Sequence, residues 1–84
     1  MKKIVEVSDE GFEGLLGEVV TIFCMNYFYT GKLVGVNESC VRLDDPSIVY
    51  ETGEWEAKGW KDAQALPGTI YVQIASIEAF GVLK

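Results

Sequence analysis

A chain of 84 residues with 49% hydrophobic content and a mean hydropathy of +0.16 carries more apolar material than one small core can hide. A domain of this size buries only about 60 to 65 percent of its unfolded surface, so the composition fits a single domain, 1–84, completed by assembly with copies of itself. A net charge of −6 with one arginine, Arg42, argues against strong generic binding to polyanions. The lack of any histidine or Cys-x-x-Cys pair leaves no ordinary zinc ligand set, and no metal or other cofactor is expected.

The segment 3–7 (KIVEV) alternates polar and apolar residues and reads either as a short edge strand or as a lead-in. Its early charges do not fit a signal peptide, and no run reaches the roughly 20 apolar residues of a membrane span. The expectation is a cytoplasmic protein with no membrane partner. Ser8, Asp9 and Glu10 are helix-start residues, and Phe12, Leu15 and Leu16 lie on one helical face. A short helix over 8–16 is predicted, ending at Gly17.

Between 17 and 50 three apolar runs alternate with turn residues, which predicts three antiparallel strands. Gly31 and Gly35 lie four apart on the second and leave it free to bend sharply. A strongly bent strand in a chain this short predicts a small five-stranded antiparallel barrel, all-β apart from the helix. Cys24 and Cys40 fall on the first and third strands as reduced structural thiols. Tyr27, Phe28 and Tyr29 are adjacent, so at least one ring must face away from the core. Two readings stand for these rings: packing between subunits or over the barrel, or a platform on which bases stack.

After Leu43, the sequence Asp44-Asp45-Pro46-Ser47 is expected to break the ladder before an extended run resumes at Ile48. The stretch 51–67 reads as a variable insertion forming a projecting hairpin or loop. Within it Trp55, Lys58, Trp60 and Lys61 either lie on the barrel surface or form a stacking and phosphate-contacting site. Pro67-Gly68 is a turn, and 68–84 holds two last strands, with Ile70, Val72 and Ile74 alternating cleanly and Ser76 offering a tight bend. No nucleophile sits beside a base and no glycine-rich phosphate loop is present, so the chain is not expected to be an enzyme.

The run Gly17, Val20, Ile22, Gly31, Leu33, Gly35, Asn37, Val41, Leu43, Asp45 resembles the first motif of the Sm-like family, which includes the LSm proteins and the bacterial Hfq branch. The terminal pair of strands resembles the second. The resemblance implies a helix over one end of a five-stranded barrel, and a homo-oligomeric ring closed by strand four of one subunit pairing with strand five of the next. It implies a single-stranded nucleic acid as partner, RNA ahead of DNA, and a role in RNA processing or regulation, with Asn37 at the turn that lines the pore. The aromatic that the family places at Ser39, the Asn that many members place at Val41, and the Arg-Gly pair of the second motif are absent. The candidate nucleic-acid-binding residues are therefore Asn37, Tyr27, Tyr29, Lys32, Trp55, Lys58, Trp60 and Lys61. The alternative is a protein-interaction or assembly module of the same fold that binds no nucleic acid.

Overall fold

The computed structural model describes residues 10–84. The segment 3–7, with its two readings, and residues 8 and 9 of the expected helix lie outside the described residues. The described residues form a single antiparallel sheet of six strands: β1 (Val19–Cys24), β2 (Phe28–Val36), β3 (Cys40–Glu51), β4 (Asp62–Ala65), β5 (Ile70–Gln73) and β6 (Ile77–Gly81). They run in the order β4-β3-β2-β1-β6, and β5 joins the same edge of β3 as β4 does. Cys40–Leu43 pair with β5 and Ser47–Glu51 with β4.

The three central strands form where the apolar runs are. The third is longer than its apolar run, because Asp44-Asp45-Pro46-Ser47 does not interrupt it as expected. The disturbance goes into the pairing instead. Asp45 takes a left-handed backbone (φ 48), and the β2–β3 register slips between Thr30 and Lys32, and again between Leu33 and Gly35. A slipped register bends the strand and increases its twist. Gly31 sits inside the first slip, where a Cβ would lie 3.0 Å from the Asp44 carbonyl oxygen and 3.2 Å from Pro46 Cα. The glycine is needed there because backbone of the next strand occupies the space a side chain would take.

Two further expectations are corrected. The helix over 8–16 is reduced, among the described residues, to one 3-10 turn at Glu13–Leu15. Gly11 has φ 76 and Gly17 has φ 93, conformations that cannot continue a right-handed helix. Phe12 and Leu15 still pack against the core, and Phe12 stacks on Phe80 with ring centroids 3.8 Å apart, whereas Leu16 is exposed. Among the described residues the sheet also has six strands rather than five and is not closed: β4 arises inside the stretch read as an insertion, and no ladder joins β5 to β6.

Alternation along the strands sends Val20, Ile22, Leu33, Val41, Leu43 and Val72 to one face, where they form the buried core. At about 25 cal/mol per Å² of apolar surface, burying such side chains is the main stabilising term. The bend after β5 is a 3-10 turn, Ile74–Ser76, fastened where the Ile74 N–H donates to the Ser39 carbonyl at 2.9 Å. That bond holds the β5–β6 bend against the β2–β3 turn.

Candidate functional site

The predicted site residues fall into three groups. The first is the β2–β3 turn. Asn37 Oδ1 accepts from Ser39 N at 2.8 Å, Cys40 N at 2.9 Å and Ser39 Oγ at 3.1 Å. Its carbonyl is thereby used to shape the turn, as Asn commonly does. Glu38, Ser39, Cys40, Gln73, Ile74 and Ala75 line a cleft of about 540 Å³ beside it.

The second group lies at the β1–β2 connection. Tyr27, just before β2, and Tyr29, on it, are separated by one residue and line one cleft of about 580 Å³ with Cys24, Val72, Gln73 and Glu78 among others. Tyr27 also meets Tyr50 edge to face, with centroids 5.6 Å apart at 89°. Burial, with the Glu78 carboxylate adding to it, pushes the Cys24 thiol above its ordinary pKa. None of the described residues lining this cleft is basic.

The third group is the loop between β3 and β4. Expected to project, it folds back on the sheet. Phe23 of β1 and Phe28 of β2 stack at 4.3 Å and 14°, Trp55 lies 6.2 Å from Phe23, and Trp60 meets Trp55 edge to face at 5.8 Å and 85°. Lys84 completes the arrangement. Its ammonium stands 4.6 Å from the Trp60 centroid and 5.5 Å from that of Trp55, and donates to the carbonyls of Thr52 at 2.9 Å and Glu54 at 2.8 Å. Both tryptophans therefore spend ring surface on the molecule itself.

The candidate lysines are scattered. Lys61 Nζ pairs with Glu51 at 3.3 Å, Lys58 is exposed on the loop, and Lys32 is exposed on β2 opposite Val19 and Asp44. Arg42 faces Asp44 at 3.5 Å, and Asp44 also accepts from Thr69 Oγ1 at 3.0 Å. The structure thus brings Trp55 and Trp60 together and Tyr27 and Tyr29 together, and builds no single basic, aromatic surface from all eight candidates. Phe23 and Lys84 were missed by sequence reasoning. Lys84 lies 24 residues from Trp60, and nothing local to it signals a contact with that ring.

Among the described residues no three of the His, Cys, Asp or Glu types gather where they could hold a metal. No helix of the described residues is long and apolar enough to cross a membrane. The chain matches no protein-family model, and no curated protein matches it significantly.

Proposed function

We propose that the chain is a self-assembling module of the Sm-like kind, in which the bent sheet is a small barrel left open for its neighbours and copies join edge to edge into a ring. The observation that carries this reading is the pair of edges left by β5 and β6. They are consecutive, separated only by the turn Ile74–Ser76, and among the described residues no ladder joins them and no second strand pairs with either. Unpaired edges attract other strands, and these carry exposed apolar side chains: Tyr71, 64% exposed, on β5, and Phe80, Val82 and Leu83 on or just after β6. Pairing β5 of one copy with β6 of the next would satisfy both edges and cover that surface.

Native mass spectrometry tests it. A closed assembly of several copies is expected, and Tyr71→Glu, which sets a carboxylate on the β5 edge, is expected to shift the mass toward the monomer. A wild-type monomer at micromolar concentration overturns the reading.

A second reading has its own observation. Tyr27 and Tyr29 share one open cleft, a suitable surface for stacking the bases of single-stranded RNA or DNA. Against it stand Glu78 in that cleft, the ion pairs that occupy Lys61 and Arg42, and the net charge. If the ring takes up a short single-stranded RNA and Tyr27→Ala weakens that uptake, the module acts on nucleic acid. If it ignores RNA even at low salt, where phosphate contacts are strongest, assembly is its role.

A further inference from the structure

The corner made by Trp55 and Trp60 has the parts of a cation receptor. The two rings stand at 85° to one another and form two walls, and the Lys84 ammonium lies within about 6 Å of both centroids, the range of cation–π attraction. The carbonyls of Thr52 and Glu54 form its floor, each accepting an N–H from that ammonium. The walls recognise charge, while the floor recognises hydrogen on nitrogen. A quaternary ammonium meets the first requirement and fails the second. The corner is fixed from behind, since Trp55 rests on Phe23, which stacks on Phe28, and those two rings belong to neighbouring strands. A shallow cleft of about 440 Å³, lined by Gly53, Glu54 and Lys61 among others, lies open beside Trp60.

We propose that this corner is a recognition site for primary alkylammonium groups, occupied at rest by the chain's own Lys84 and open to exchange with an amine from outside. Assembly through β5 and β6 does not require it. The surrounding segment 51–62 carries four carboxylates, Glu51, Glu54, Glu56 and Asp62, against two lysines, Lys58 and Lys61, and this acidic excess favours the approach of a cation. Lys84 is tethered and competes at a high effective concentration, so the intact protein responds only to more ligand than a chain lacking that side chain needs. Two sources share this chemistry: a lysine side chain of another protein, and a free amine.

Proton NMR and tryptophan fluorescence test it with n-butylammonium as the probe. In the wild-type protein the Lys84 ε-methylene protons are expected upfield of an ordinary lysine, shifted by the two ring currents, and n-butylammonium should return them to the ordinary position. In Lys84→Ala the probe should change the fluorescence saturably, at a concentration at least about tenfold lower than the wild type needs. Tetramethylammonium at matched ionic strength should bind at least about tenfold more weakly, having no N–H for the two carbonyls. Trp60→Ala should abolish the response. Titrating putrescine against the peptide Gly-Gly-Lys-Gly-Gly, acetylated at its N-terminus so that the lysine is its one ammonium, separates the sources, the tighter one naming the ligand. Lys84 protons at ordinary positions in the wild type overturn the proposal. So does a Lys84→Ala protein with no saturable response, or one that prefers tetramethylammonium. Should that variant lose its loop structure, the wild-type titration decides alone.

Discussion

The two halves of β3, on either side of Asp45 and Pro46, are held by different physics. Cys40–Leu43 lie between β2 and β5, and there Val41 and Leu43 are fully buried against Val20, Ile22 and Leu33. Ser47–Glu51 lie between β2 and β4, where Val49 is the one buried hydrophobic and all four residues of β4 are exposed. The first half is stabilised by removing aliphatic surface from water. The second depends on ring pairs on the two faces of the sheet, Tyr50 on Tyr27 and Trp55 on Phe23, with Lys84 over the tryptophans. Aromatic pairs add about 0.5–1.5 kcal/mol each beyond their burial. The second half should therefore open before the first, even though one strand runs through both.

The sharpest way to break this comparison is a change in the first half. Leu43→Ala should lower the free energy of unfolding by about 2–5 kcal/mol, the usual range for deleting a buried leucine, read as the midpoint of a urea transition. A loss under about 1 kcal/mol would mean the core lies elsewhere. Next comes the joint itself. Gly31→Ala places a methyl against the Asp44 carbonyl and Pro46 Cα, which are backbone and cannot swing aside. It should cost about 1–3 kcal/mol. Gly35→Ala meets only Arg42 Cβ at 3.5 Å and should cost less. Equal losses at the two glycines would remove the bulge at Gly31 as the reason for that residue.

Trp55→Ala tests the second half. Its ring bridges Phe23 and Trp60, so removing it should speed amide hydrogen exchange across 52–65 while Cys40–Leu43 stay protected. Global stability should fall by only about 1 kcal/mol. Uniform loss of protection along β3 would show that its halves are one cooperative unit.

The same division explains what could be read in advance. The first half was legible because alternating Val, Ile and Leu between turn residues imposes both strand and face. Gly31 and Gly35 marked the bends because a missing Cβ has few other uses inside a strand. The helix was overestimated because Phe12, Leu15 and Leu16 fit its period, while the left-handed backbone at Gly11 and Gly17 is invisible in a hydrophobic pattern. β4 was missed because Asp-Ala-Gln-Ala, though it alternates, is only four residues long, carries no β-branched or aromatic side chain, and pairs only because a long β3 offers an edge. Among the site residues, Tyr27 and Tyr29 share a cleft because they are two apart in extended chain, whereas the contact of Trp55 with Trp60 depends on the path of the loop between them. The Lys84 contact depends on where β6 delivers the chain, which no local pattern encodes.

The smallest expected effect lies in a row of short side chains that crosses the sheet on the face opposite the core and meets β3 where its second half begins. Cross-strand pairing runs from Gly81 through Thr21 and Thr30 to Ser47 and Ala65. Thr21 is 1% exposed, and its hydroxyl is the one buried side-chain polar atom among the described residues left without a hydrogen-bond partner. Such an atom gives up its bonds to water and receives nothing in return, at a cost of about 1–3 kcal/mol. Valine keeps the shape of threonine and omits the hydroxyl. Thr21→Val should therefore raise stability by about 1 kcal/mol, the low end of that range, measured as a higher urea midpoint with an unchanged slope. A loss of stability instead would mean that the hydroxyl has a partner. If that loss appeared only at concentrations where the protein is oligomeric, the partner would belong to a neighbouring copy, and the face opposite the core would be part of the assembly.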